Sequence, residues 1–299
     1  MTDRYDLIEL SKANDKLQAY VKEGPKGLTI DFSDAQAVKQ LNKALLMFHF
    51  NVSYWDFPDA YLCPPITGRM ASVDAIAQVL SNENKGRTPK GHKVSGLDIG
   101  TGASLIYPIL ASKEYGWTMI ASEIDPEALE SGNKILEENT DLQSRIDLKE
   151  QENKDNFFKR VISKEDHIDF SMCNPPYFAD IEEASKANQR KNKNLHEKKN
   201  REDRNFGGKH HELVYPGGEK NFIFRMIEQS RSYGNNIMWF SCLVSNKSLL
   251  PALKSKLKHV EAESFFVKDL SIGKKKSRMI CWSFLNEKQR SKWVKIKWT

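Results

Sequence analysis

The sequence predicts an α/β fold, a doubly wound and mostly parallel seven-stranded sheet preceded by a helical N-terminal extension. Three observations predict it. Short apolar runs alternate with helix-length segments from residue 94 onward. The first run, "VSGLDIG", ends in a glycine turn that opens a helix. The chain closes on two apolar runs joined by the basic turn "SIGKKK", the pattern of a hairpin that adds an antiparallel strand.

The elements follow in order. Residues 1–92 form the extension. Within it "SDAQAVKQLNKALLMFHF" puts Ala37, Leu41, Leu45 and Phe48 on one helical face, with Ser33 or Asp34 as the cap. The stretch 55–69, "WDFPDAYLCPPITGR", is a proline-broken loop, and a second helix starts at Met70. An exposed linker at 85–93 leads into the second unit, 93–299. There, strand 94–100 precedes a helix over 103–116, with Pro108 in or near its first turn. Strand 117–125, helix 126–140, and strands 145–152 and 167–173 come next. Helix 219–234, strand 236–245, a helix near 250 and the closing hairpin complete the pattern.

Composition limits the function. The chain has 299 residues, 39% hydrophobic and 29% charged, enough for one large domain or a domain with an extension. No run is long and apolar enough for a membrane helix, and the N-terminus lacks a signal-peptide pattern. The four cysteines are scattered without a CxxC pair, which fits reduced thiols in a cytoplasmic protein and neither structural zinc nor a disulfide framework. His210 and His211 lack the Cys/His partners of a metal site, so no metal is expected.

The net charge of +6 is unevenly distributed. Lys186–His211 holds nine Lys/Arg against three Asp/Glu, and Lys268–Thr299 holds ten against two. The rest of the chain is acidic. Two basic blocks on an acidic body suit a polyanionic partner, and solvated surface is the plainer alternative.

Three motifs share the rim formed by the strand ends. "LDIGTGAS" follows a strand and opens a helix. Gly100 and Gly102 let backbone approach a ligand. Leu105 stands where a dinucleotide fingerprint needs its third glycine. A D-x-G-x-G loop suits S-adenosylmethionine better, since that cofactor has no phosphates to cradle; a tight strand–helix turn is the structural alternative. Glu123, 21 residues beyond Gly102, stands where an acid hydrogen-bonds a ribose diol, with Asp125 as competitor. "NPPY" at 174–177 closes the strand 167–173. An amine conjugated to an aromatic ring is a weak nucleophile. The Asn174 side-chain oxygen and the Pro175 carbonyl can each accept one of its hydrogens, aiming the nitrogen lone pair at an electrophilic methyl. Tyr177 or Phe178 can stack on the flat substrate. Alone, NPPY could be only a Pro-Pro strand exit.

Together these residues resemble the class I S-adenosylmethionine-dependent methyltransferases of the amino-methylating NPPY/NPPF type. "RYDLIEL", "WDFPDAYLCPP", "LDIGTGASLIYPIL", "CNPPYF", "NFGGKHHEL", "GGEKNFI" and "SRMICWSF" follow, in order, the bacterial 23S ribosomal RNA adenine-N6 methyltransferase family, RlmF. The resemblance covers nearly the whole chain and extends to a eukaryotic methyltransferase of small nuclear RNA. It implies S-adenosylmethionine as donor and one adenosine of 23S RNA, free or in an assembling large subunit, as acceptor of a monomeric enzyme. By position it implies Arg69, Asp98, Gly100, Gly102, Ser104, Glu123, Asn153 and Asn174 at the cofactor. It implies Asn174, Pro175, Pro176 and Tyr177 as catalytic, with Phe178 on the substrate. The segment 182–216 is expected to be a basic, RNA-facing insertion, and 1–92 could act as a lid over RNA or cofactor. Glutamine-N5 methylation of a protein, guanine-N2 methylation of ribosomal RNA, and non-catalytic RNA binding in ribosome assembly are the competing functions.

Overall fold

A computed structural model describes residues 6–25, 27–180, 182–183, 210–272 and 275–298. Most of the expected basic insertion lies outside these residues.

Seven strands form the central sheet: β3 (Ser95–Ile99), β4 (Thr118–Glu123), β5 (Ile146–Glu150), β6 (Ile168–Cys173), β7 (Ile237–Val244), β8 (Ser264–Ile272) and β9 (Lys275–Ser283). Their order is β5-β4-β3-β6-β7-β9-β8. The first five are parallel; β9 pairs antiparallel to β7, and β8 pairs antiparallel to β9 at the edge. A separate small hairpin, β1 (Lys22–Gly24) and β2 (Gly27–Thr29), lies in the extension. Every residue of β6 is buried, as expected of a central parallel strand covered on both faces.

Each face of the sheet carries its own apolar cluster. On one side α8 (Gly218–Ser230) and α9 (Leu250–His259) bury Ile223, Ile227, Leu253 and Leu257 against Leu97, Phe240 and Trp282. The other side is covered by α2 (Ala35–Phe50), α3 (Ile66–Glu83), α4 (Ile106–Tyr115) and α5 (Pro126–Glu137). There Leu41, Leu45, Val73 and Ile76 of the extension join Ile109, Leu110, Phe170 and Met172 in one cluster.

Several boundaries differ from the sequence expectation. Of the two expected caps, Asp34 is the one that caps α2, accepting the N–H groups of Gln36 and Ala37. Ala37, Leu41 and Leu45 are buried, but Phe48 is 50% exposed: in the last turn the buried side passes to Leu46 and Phe50, and Phe48 packs edge-on against His49. Helix α3 starts at Ile66 because Pro65 takes the cap position, which places Arg69 in the first turn rather than in a loop. Helix α4 starts at Ile106 because Leu105 is left-handed at φ 49°. Pro108 is its third residue, where a missing N–H costs no helical bond.

A C-terminal helix, α10 (Glu287–Lys297), follows the hairpin and has no counterpart in the sequence reading. Asn286 and Gln289 form its capping box. It is fixed to the sheet by Asp169 of β6, whose side chain is fully buried. Oδ1 of Asp169 accepts the indole N–H groups of Trp293 (2.8 Å) and Trp298 (3.1 Å). Oδ2 accepts the Ser95 N–H (2.7 Å) and the Lys297 ammonium (2.8 Å).

Candidate active site

In a doubly wound sheet, ligands bind at the carboxyl ends of the strands where the chain reverses its direction of winding. Here that point lies between β3 and β6. Ile99 is in register with Cys173 on one side and with Ser122 on the other. Gly100, Asn174 and Glu123 therefore leave three adjacent strands side by side. They line one cavity of about 970 Å³, at the upper end of the range for ligand pockets.

The glycine turn wraps the end of β4. The N–H groups of Gly100 and Thr101 donate to the Ser122 carbonyl at 2.9 and 3.0 Å. Gly100 and Gly102 have φ of +69° and +68°, and a Cβ on Gly100 would meet nothing within 4 Å. The constraint at Gly100 is thus backbone conformation, with the cavity left open above it. Glu123 braces the turn: Oε2 accepts the Gly102 N–H at 2.8 Å, while Oε1 accepts those of Ile124 (2.7 Å) and Asp125 (3.1 Å). Asp125 caps α5 through the Glu127 N–H and accepts the Tyr61 hydroxyl. Glu123 lines the cavity and Asp125 does not, which separates the two candidate ribose acids.

At one end of the cavity Arg69 lies over the Tyr107 ring, 5.3 Å from its centroid, and donates to the Tyr107 hydroxyl at 2.9 Å. Its Nε is buried and bonds nothing among the described residues; the same holds for both carboxylate oxygens of Asp98, beneath the glycine turn. Burial pushes the Asp98 carboxyl up to about 7, against the neighbouring Thr101 hydroxyl and, less strongly, the Arg69 charge. A buried cation and a buried anion with unused bonding capacity complement an α-amino acid zwitterion, with its carboxylate on Arg69 and its ammonium on Asp98. Together with the Glu123 carboxylate on the cavity wall, this donor set fits S-adenosylmethionine.

Asn174 stands half-buried on the cavity wall, with Pro175 buried behind it. The Tyr177 hydroxyl donates to Asn174 Oδ1 at 2.6 Å. The following backbone is fixed by α7 (His210–Leu213) and the residues after it. The N–H groups of Tyr177 and Phe178 donate to the Leu213 carbonyl at 3.1 and 2.9 Å, and the Tyr215 N–H donates to the Phe178 carbonyl at 3.0 Å. Glu219 is buried and ties the start of α8 to the end of β7. It accepts the Ser245 N–H at 2.5 Å and the Ser245 hydroxyl at 2.6 Å.

Of the residues singled out from sequence, Arg69, Gly100, Gly102, Ser104, Glu123, Asn174 and Pro176 line the cavity. Asp98, Pro175 and Tyr177 support it from behind. Phe178 is not on its wall: its main chain forms a bridge with Val214. Asn153 is not on the wall either, because its side chain accepts the Asp155 N–H at 2.8 Å and closes a turn. Gln151, Asn156 and Phe157 of the same loop do reach the cavity.

The sequence reading missed several wall residues. Phe157, Tyr215 and Phe222 form an aromatic wall, with centroids 4.8 Å apart for Phe157–Phe222 and 5.1 Å for Tyr215–Phe222. Arg225 of α8 holds that wall in place, bonding Asp155 at 2.7 Å and the Tyr215 hydroxyl at 2.9 Å. Glu212 crosses to the extension and accepts the Leu62 N–H at 3.1 Å. Ile124, 40% exposed directly after Glu123, also lies on the cavity wall.

This strand order, with a glycine turn, an acidic residue at the end of the next strand and an NPPY exit around one cavity, defines a class I methyltransferase. A family model described as RNA methyltransferase matches residues 1–286. The chain is 42% identical to ribosomal RNA large subunit methyltransferase F of Flavobacterium johnsoniae, over 97% of its own length and 93% of that protein. It is 40% identical to the protein of the same name from Photobacterium profundum, over 100% and 94%. The chain therefore belongs to the RNA methyltransferase family that includes ribosomal RNA large subunit methyltransferase F. Among solved structures, the hMettl16 catalytic domain in complex with MAT2A 3′UTR hairpin 1 has a TM-score of 0.80 at 27% identity, covering 95% of this chain and 93% of that one. The N-terminal domain of human METTL16 in complex with SAH shares the fold, with a TM-score of 0.74 at 24% identity and coverage of 95% and 96%.

Proposed function

We propose that this enzyme transfers a methyl group from S-adenosylmethionine to N6 of one adenosine in 23S ribosomal RNA. The observation that carries the reading is the placement of Asn174 beside Gly100 at the switch point, on the wall of the cavity that Arg69 and Glu123 also line. The names of the relatives supply the ribosomal RNA of the large subunit as substrate class.

The sulfonium cofactor supplies an electrophilic methyl when bound. Arg69 and Asp98 would hold its amino-acid end, Glu123 its ribose hydroxyls, and Ile124 with Phe157 offer apolar surface to its adenine. Asn174 Oδ1 and the Pro175 carbonyl accept the two hydrogens of the target amine and orient its lone pair. No strong base is required, because the nitrogen becomes acidic only as the new bond forms. Entry of the target base into this cavity requires its extrusion from any helix, and the aromatic wall offers it a stacking surface.

The test is methylation of unmodified large-subunit RNA by the purified protein with labelled cofactor, followed by nucleoside mass spectrometry. N6-methyladenosine is expected, and the label should be released by ribonuclease. A labelled product sensitive only to protease would point to glutamine-N5 methylation, and N2-methylguanosine to the guanine reading. Absence of cofactor binding by calorimetry would leave only RNA binding.

A further inference from the structure

An asparagine that must accept a hydrogen has a difficulty that a carboxylate lacks. Its amide is two-faced, and a half-turn about the terminal bond presents NH2 donors where the oxygen was. Presented to an amine, that face repels. A site that relies on Asn174 Oδ1 therefore needs something that recognises the oxygen.

The structure provides one such contact. The Tyr177 hydroxyl meets Oδ1 at 2.6 Å, within hydrogen-bond geometry for O–H···O. A phenol is a good donor and a poor acceptor, because its oxygen lone pair is delocalised into the ring. It thus favours the amide orientation in which Oδ1 faces it over the one in which NH2 does. The contact spans three residues joined by two prolines, so little chain entropy is lost in holding it. The Tyr177 backbone is itself fixed by the Leu213 carbonyl. Burial pushes the phenol's pKa up, with the Arg69 charge opposing, so the hydroxyl keeps its proton across the working pH range.

We propose that the Tyr177 hydroxyl is a positioning group for the reaction: it fixes the Asn174 amide with Oδ1 as the acceptor, occupying one lone pair and leaving the other for the target amine. This role is separate from stacking, which the ring alone could perform. The inference rests on the reading of Asn174 as the amine acceptor.

Tyr177→Phe keeps the ring and removes the contact. Single-turnover rates should fall about tenfold, the loss expected when one net hydrogen bond no longer holds the amide in its accepting orientation. The KM for RNA and the cofactor Kd should stay within about twofold, since the aromatic surface remains. In an Asn174→Asp background both side-chain oxygens accept, so no wrong face exists, and the same Tyr177→Phe change should cost less than about twofold. An unchanged rate in Tyr177→Phe, or a loss confined to KM, overturns the proposal. So does an equal loss in the Asn174→Asp background; if that background is inactive, the kcat-against-KM split in Tyr177→Phe decides alone. Should Asn174→Ala itself turn over normally, the acceptor reading fails instead, and the two failures are told apart.

Discussion

Arg69 and Asp98 lie within electrostatic reach of each other, yet Nε of the one and both carboxylate oxygens of the other are buried without a hydrogen-bond partner among the described residues. Such groups are costly in a folded chain unless a ligand completes them. Arg69→Ala should weaken S-adenosylmethionine binding by about 10–100-fold, the loss of a charge-assisted pair. Isothermal titration measures it, and circular dichroism confirms that α3 remains folded.

Asp98 makes the same site pH-dependent. Its carboxyl, pushed up to about 7 by burial, carries a proton at lower pH and then offers no charge to an ammonium. Cofactor affinity should therefore fall as pH drops below 7, approaching about tenfold per unit. Asp98→Asn should bind weakly with a flat profile.

The same shift predicts a stability effect of opposite benefit. Between pH 4 and 7 the folded protein holds a proton on Asp98 that the unfolded chain has released, so stability without cofactor falls as pH rises through that window. Asp98→Asn removes the penalty, which is on the order of a few kcal/mol above pH 7. Its melting temperature at pH 8 should exceed that of the parent protein, and the two should converge near pH 4. A lower melting temperature at pH 8 would show that Asp98 is stabilised in the folded state after all.

Asn174→Ala separates binding from turnover. The side chain lines the cavity but makes none of the contacts assigned to the amino-acid end or to the ribose. Methylation should drop by more than about a hundredfold, comparable to removal of one donor or acceptor that acts on developing charge. Cofactor affinity should change by less than about threefold.

The parallel sheet and its rim were legible because each signal was local. Buried parallel strands read as apolar runs, and a glycine turn and NPPY fix backbone shape within a few residues. What escaped was set by distant contacts. Arg69 looked like a loop residue until Pro65 was seen to start a helix and Tyr107 to lie under its guanidinium. The aromatic wall draws Phe157, Tyr215 and Phe222 from separate segments, and no spacing links them. Asn153 and Asn156 sit three residues apart in one polar loop, and only the fold shows that the first closes a turn while the second lines the cavity. Helix α10 escaped because "EKQRSKWVKIK" has no continuous apolar stripe.

What replaces that stripe gives the last prediction. Helix α10 is held by polar contacts that converge on Asp169, and by Arg290, which donates to Glu83 at 2.9 Å and lies 4.9 Å over the Trp239 ring. Asp169 is fully buried, and burial raises its carboxyl pKa in spite of Lys297 beside it. The carboxylate alone gathers two indoles, an ammonium and a backbone N–H. Asp169→Ala removes the counter-charge of Lys297, which keeps only Ser95 Oγ and the His167 carbonyl, leaves the Ser95 N–H without its acceptor, and should cost about 3–5 kcal/mol. Thermal unfolding should start several degrees lower, and the fluorescence of Trp293 and Trp298 should shift to the red as α10 loosens. Cofactor affinity at a temperature where the variant is folded should be unchanged, because Asp169 is the second residue of β6 and the cavity lies at the strand's other end. A variant with unaltered melting and emission would mean that α10 is held by Arg290, Glu83 and the packing of Trp293, Val294 and Trp298, without need of Asp169.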